Sequence, residues 1–198
     1  MADTFFTLTS PSEAVYREKM SKFMAFAVPV TSVAEAKGVI ARFQKEYFDA
    51  RHVCWAYMLG AARTDFQSND NGEPSGTAGK PILGQINSFG LTNIVIVVVR
   101  YFGGIKLGTP GLTAAYREAA RMAISEGEIV ECHEQARISL TFSYMAMNDV
   151  MKLVKQPGVS VLSQQFDNLC AMTLAVRADD APTLRARLLN IPSVGIED

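Results

Sequence analysis

The run Asn93-Ile94-Val95-Ile96-Val97-Val98-Val99-Arg100 constrains the fold most, because it places six β-branched residues in a row with no polar break. Branching at Cβ favours the extended chain, and unbroken apolarity means that neither face of the strand meets water. Such a strand is expected to be covered on both faces. The neighbouring segments supply partners. Lys22 to Val30 alternates as a strand does, and Ser32 with Glu35 forms a capping box that opens a helix in which Val33, Ala36, Val39, Ile40 and Phe43 share a face. His52 to Leu59 reads as a second apolar strand. A polar connection from Gly60 to Gly76 follows, and loops of that length usually carry function or lack order. Thr77 is then expected to cap a helix over residues 78–89, with Pro81 in its first turn. Another helix is expected from near Pro110 to Ser125, with Leu112, Ala115, Ala119, Met122 and Ala123 on its apolar side.

The rhythm changes near Gly127. A strand over Ile129–Phe142, a helix over Met145–Gln156, strands over Val159–Phe166 and Leu169–Val176, a helix over Asp180–Leu189 and a short strand over Val194–Glu197 give the order βαββαβ. That is the ferredoxin-like arrangement. Asp167-Asn168 marks a hairpin, and Pro157-Gly158 and Pro192 punctuate the helix ends. The expected fold class is therefore α+β, with two domains at residues 1–127 and 128–198.

Charge limits the partners. The chain of 198 residues has 19 Lys and Arg against 20 Asp and Glu, a formal net charge of -1. The expected domains are themselves near neutral, so no global field draws either of them to nucleic acid or an anionic membrane, and such binding would be local. No DNA-binding motif occurs. The longest apolar run is far short of the roughly 20 residues that cross a bilayer, and the N-terminus lacks a signal-peptide pattern, so a cytoplasmic protein is expected. Cys54, Cys132 and Cys170 form no C-x-x-C pair, which argues against disulfides and structural zinc. They are expected to be small buried hydrophobes. No metal or other cofactor is implied, and oligomeric state is not legible.

Three segments hold polar and glycine residues that a core does not need: Asp49 to His52, Asn69 to Pro81, and Arg100 to Gly108. In the central one, Gly72, Gly76 and Gly79 let the backbone approach a ligand, and a helix starting at Thr77 offers free N–H groups to an anion, with Lys80 adding charge. The alternative is a loop shaped by turns and caps alone. Neither G-x-x-x-x-G-K-[ST] nor G-x-G-x-x-G is present, so nucleotide hydrolysis and dinucleotide binding have no motif support. Asp70 and Glu73 with His52 suit a small hydrolase, against readings of the carboxylates as turn solvation and of His52 as structural. Arg100, at the end of an apolar strand, must leave the core or find a partner. Either it pairs with Asp70 or Glu73, or Arg100, Tyr101, Phe102 and Lys106 form a surface for bases and phosphates.

These segments together resemble the IMPACT family and its bacterial members. The resemblance rests on Asp49-Ala50-Arg51-His52, on Asp70-Asn71-Gly72-Glu73-Pro74 with Gly76 to Pro81, and on the run from Gly79 through Ile82, Leu83, Ile86, Leu91, Val97 and Val98 to Arg100-Tyr101-Phe102-Gly103-Gly104 and Leu107-Gly108. Lys19, Ser21, Lys22, Phe23 and Tyr116 also fit; Thr109-Pro110-Gly111 departs from a pattern that often has more glycine. The resemblance implies a βαβ first domain like the second domain of a ribosomal small-subunit protein and the fourth of elongation factor G, and a ferredoxin-like second domain. It also implies a link to translation, since eukaryotic relatives regulate initiation through an additional domain that is not expected here. Bacterial members imply no settled reaction.

The expected function is a non-enzymatic, translation-associated protein that binds RNA or a translation-associated protein. The expected binding residues are Arg51, His52, Asp70, Glu73, Thr77, Lys80, Arg100, Tyr101, Gly103, Gly104 and Lys106. No catalytic residue is assigned. The alternatives are the hydrolase and a protein-binding module that uses an apolar sheet face of the second domain.

Overall fold

A computed structural model describes residues 4–197. The described chain forms two compact units, residues 4–132 and 133–197.

In the first unit, β2 (Ser12–Glu18), β3 (Ser21–Pro29), β4 (His52–Leu59), β5 (Asp65–Asn69) and β6 (Ile94–Tyr101) make a five-stranded sheet in the order β2-β3-β6-β4-β5. Every pairing is antiparallel. The β-branched run is the central strand. Its alternate side chains divide between two cores. Val95, Val97 and Val99 pack with Phe43 and Ile40 of α1 (Val33–Glu46), whereas Ile94, Ile96 and Val98 pack with Ile82 and Ile86 of α2 (Gly79–Ser88) and with Leu112, Tyr116 and Ala119 of α3 (Gly108–Ser125). Each such side chain contributes about 1.5–3 kcal/mol by leaving water. β3, α1 and β4 form a βαβ unit split by β6, which places the starts of β3 and β4 beside the end of β6.

Local caps differ from the simplest expectation. Ser32 Oγ accepts from the Glu35 backbone N–H at 3.2 Å, but the Glu35 carboxylate takes the N–H of Thr31 at 2.7 Å instead of closing the box on Ser32. Three strands were not visible in the sequence pattern. β1 (Thr4–Leu8) pairs with β7 (Ile129–His133), β2 is a half-exposed edge, and β5 turns part of the expected Gly60–Gly76 loop into an edge strand of polar, mostly exposed residues. The strand expected over Ile129–Phe142 breaks at Glu134, because its first part finds β1 and the remainder enters the second sheet. Accordingly the two units divide between Cys132 and His133, rather than at residue 127.

The second unit comprises β8 (Gln135–Phe142), α4 (Met147–Val154), β9 (Ser160–Phe166), β10 (Cys170–Arg177), α5 (Ala181–Leu189) and β11 (Gly195–Glu197). Its antiparallel sheet has the order β11-β8-β10-β9, the ferredoxin-like order. Ile138, Leu140 and Phe142 face Val150, Leu153, Leu184 and Leu188. The outward positions of β8 and β10 carry Arg137, Ser139, Thr141 and Thr173, with only the small Ala171 and Ala175 between them, and Ser139 Oγ lies 3.5 Å from Thr173 Oγ1. The contiguous apolar face expected of a protein-docking module is therefore absent there; exposed Val161, Leu162 and Phe166 lie on the edge strand β9. Among the described residues, no helix is long and apolar enough to cross a membrane.

Candidate functional site

The start of β4, the end of β6 and the start of α3 meet around one cleft of about 500 Å³. Arg51, His52, Glu73, Pro74, Arg100, Phe102, Lys106 and Leu107 line it, together with Gly108, Thr109 and Leu112 at the beginning of α3. The sheet register sets His52 and Arg100 directly opposite one another, with Phe23 on the other side of Arg100. The guanidinium lies 5.5 Å from the ring centres of both Phe23 and Phe102.

Glu73 is the buried hub. Its Oε1 accepts from Arg100 Nη1 at 2.6 Å and from the Tyr116 hydroxyl at 2.7 Å, and all three residues are nearly inaccessible to water. A charge-assisted bond of this length holds a buried carboxylate that would otherwise be very costly. His52 Nε2 stands 3.7 Å from Glu73 Oε2, beyond hydrogen-bond range. Its Nδ1 donates to the Asn71 carbonyl at 2.8 Å, since a carbonyl only accepts, which fixes the ring in the lining of the cleft. Gly72 (φ +84) makes this possible by turning the chain against the imidazole, where an added Cβ would meet Nδ1 at 3.4 Å. Ser21 Oγ accepts from the Gly103 N–H at 3.3 Å, tying the start of β3 to the turn after β6. Behind Glu73, Cys54 Sγ bonds the Tyr116 hydroxyl at 3.4 Å, and burial above all pushes the thiol up to about 12. It is inert at neutral pH.

Asp70 belongs to a different construction. Its carboxylate accepts the N–H groups of Gly76, Ala78 and Gly79 at 2.8–3.0 Å, so the helix start expected to hold an anion is already occupied by a side chain of this protein. Thr77 does not cap α2; its hydroxyl donates to the Pro74 carbonyl at 2.6 Å. Burial raises the Asp70 carboxyl, but these three donors and Lys80 outweigh it and hold the group below the usual carboxylate range. A folded value below the unfolded one means that Asp70 adds stability above the unfolded value near 3.8 and loses it as pH falls through the folded value. Asp70→Ala is expected to cost about 2 kcal/mol at neutral pH and clearly less once pH has fallen below that range, where only the neutral hydrogen bonds are lost, as read by denaturant titration at both pH values. An equal loss at both would contradict the ionised cap.

Five of the expected binding residues, Arg51, His52, Glu73, Arg100 and Lys106, thus share the cleft, and the choice left open for Arg100 resolves to Glu73. The others do not join them. Lys80 lies in a groove between α2 and α3 with Thr113 and Arg117, and the Tyr101 hydroxyl donates to Asp49 at 2.8 Å. Gly103 serves packing, and Gly104 supplies a left-handed bend at φ +89. The hydrolase arrangement is not assembled, because Asp70 is spent on backbone amides and does not line the cleft. Tyr116, absent from the expected site, was signalled by a lone hydroxyl on an otherwise Leu and Ala helix face, which needs a partner once buried. Among the described residues, no group of three His, Cys, Asp or Glu side chains is placed to hold a metal ion.

Residues 19–124, more than half of the chain, match the model of the Impact N-terminal domain. The chain belongs to the IMPACT family. An IMPACT family member from Haemophilus influenzae is 36% identical over 80% of this chain and 79% of its own length. The member YigZ from Escherichia coli is 31% identical over 90% of this chain and 89% of its own. A crystal structure solved as that of a hypothetical protein matches with a TM-score of 0.77 and 28% identity, covering 99% of this chain and 97% of the other. The segment matched by the IMPACT model contains the whole cleft.

Proposed function

We propose that this IMPACT protein is a non-enzymatic, translation-associated factor that binds RNA through the cleft of its first unit. The observation that carries the reading is the convergence of Arg51, Arg100, Lys106 and His52 with the half-exposed ring of Phe102 around one concave surface. Three permanent cations face one carboxylate there, and Arg100 and Tyr116 already engage that carboxylate. RNA binding needs such a pairing of cations for phosphate with an aromatic face for a base, and it places the affinity in one small patch, as a chain of net charge -1 requires. The link to translation rests on family membership.

Arg51 and Lys106 are exposed, so their removal leaves the buried network intact. Affinity capture of the tagged protein from its cells, with and without ribonuclease, tests the proposal. RNA is expected with the wild type, and Arg51→Ala/Lys106→Ala is expected to recover little of it. Recovery of equal RNA by wild type and variant, or of none by either, contradicts the proposal.

A further inference from the structure

A second groove, of about 400 Å³, lies on the face of the sheet opposite the cleft, between α1 and the edge strand β5. Trp55, Gln67 and Asn69 of the sheet line it with Asn71 and with Lys37 and Gln44 of α1. Alternation along β4 puts Trp55 and Tyr57 on the α1 side, while Cys54 and Ala56 face α2 and α3. α1 leaves Trp55 half-buried there, with its ring 6.0 Å from that of Tyr57 and within 3° of parallel.

The free polar groups of this groove are nearly all of one kind. Asn71 Oδ1 accepts the Val53 N–H at 2.8 Å, and Asn69 Oδ1 accepts the Asn71 N–H at 2.7 Å. A backbone N–H only donates, so each contact identifies the amide oxygen and leaves the NH2 of that side chain uncommitted. Gln67 Oε1 likewise takes the Tyr57 hydroxyl at 3.2 Å. These NH2 groups and the Trp55 indole N–H have no partner among the described residues, and Lys37 is the only charged residue in the lining. Gln44, whose amide is free at both ends, brings the one uncommitted side-chain acceptor in the lining. The groove therefore offers donors beside a flat ring.

We infer that this groove binds an unpaired base of the RNA strand whose phosphates meet the cleft, and that it favours uracil over cytosine. This rests on the reading of the cleft as an RNA site and adds a second point of attachment. Uracil brings two carbonyl oxygens to the donors and one N–H to Gln44, and its ring packs against the indole. Cytosine carries an amino group in place of one of those oxygens and sets donor against donor. A phosphate would meet a single cation and gain little from the ring. The two sites join at Asn71, whose carbonyl accepts from His52 Nδ1 at 2.8 Å in the lining of the cleft. His52 and Trp55 stand three residues apart on β4, about 10 Å, so a strand that rounds the sheet at Asn71 fills both.

Trp55 is the single tryptophan, so its emission reports the groove directly. Titration with single-stranded RNA decamers of uridine and of cytidine, following that emission together with the anisotropy of a labelled strand, tests the inference. Quenching that saturates with the anisotropy is expected, and the uridine decamer is expected to bind at least about fivefold more tightly than the cytidine decamer. Asn69→Asp keeps an acceptor for the Asn71 N–H but removes the free donor, and it is expected to bring the two affinities within about twofold. Its added charge weakens both decamers alike, so their ratio reports the donor. Binding without any change in Trp55 emission, equal affinity for the two decamers, or a ratio unmoved by Asn69→Asp overturns the groove assignment and leaves the cleft reading standing. No binding of either decamer overturns both. Free uridine that quenches Trp55 at the same concentrations as the decamer overturns the assignment to a strand.

Discussion

Glu73→Ala is expected to destabilise the first unit by about 3–5 kcal/mol, the usual cost of leaving one member of a buried ion pair alone. The substitution removes the acceptor at 2.6 Å from Arg100 and at 2.7 Å from the Tyr116 hydroxyl, so it strands a charge and a hydroxyl together. The pair is packed beside Phe23 and Tyr116, whose rings meet edge to face at 5.1 Å. Trp55 is the single tryptophan and lies on β4, so its fluorescence during denaturant unfolding reports this unit. A lower midpoint with an unchanged slope is the expected result. The double substitution Glu73→Ala/Arg100→Met, which removes both charges, is expected to recover part of the loss. A loss below about 1 kcal/mol for Glu73→Ala would show that the pair is solvated and is not the hub of the site.

Gly103→Ala has the second large effect. A Cβ at this position would lie 2.1 Å from the Met20 carbonyl carbon, 2.2 Å from its oxygen and 2.5 Å from the Ser21 nitrogen. All three are backbone atoms of the β2–β3 hairpin, in which Lys19 and Met20 have φ of 43° and 67°, so no side chain can rotate aside. The hairpin or the turn carrying Phe102 must move. A stability loss of about 3 kcal/mol is expected, at the upper end for overpacking, with loss of RNA binding because Phe102 and Lys106 shift together. Gly104→Ala separates space from conformation: its φ is +89 with nothing within 4 Å of an added Cβ, and about 1 kcal/mol is expected. Unfolding midpoints of the two variants check the order, and equal losses would contradict the close approach at Gly103.

What the sequence disclosed follows from how local each signal is. The unbroken Ile and Val run could only be a strand covered twice, and β6 is that strand. β8 to β11 were legible as a group because each element shows its own periodicity and the hairpins and helix ends are punctuated by Gly, Pro and Asn. β5 was not, since Asp65-Phe66-Gln67-Ser68-Asn69 owes its strand state to pairing with β4 and buries almost nothing. The helix cap at α2 failed for a related reason. Thr77 was adjacent and of the right type, but Asp70 reaches the same N–H groups from a preceding turn and brings a full charge. In the site, the sequence left Arg100 either paired with Asp70 or Glu73 or joined with Tyr101, Phe102 and Lys106 in a surface for bases and phosphates; the pairing with Glu73 required the register that puts β4, β6 and α3 together. Lys80 shared a segment with Glu73 but not a surface, because helix α2 turns it into another groove.

The central claim is that RNA binds through the cleft by its cations. Its most direct test is the affinity of the purified protein for a single-stranded RNA oligomer, measured across a salt series for the wild type and Arg51→Ala/Lys106→Ala. The plot of log affinity against log salt is expected to have a slope near about -1.4 for two phosphate contacts, with the variant weak and its slope close to zero. Absence of binding at low salt, or a variant that binds with the affinity and slope of the wild type, would contradict it.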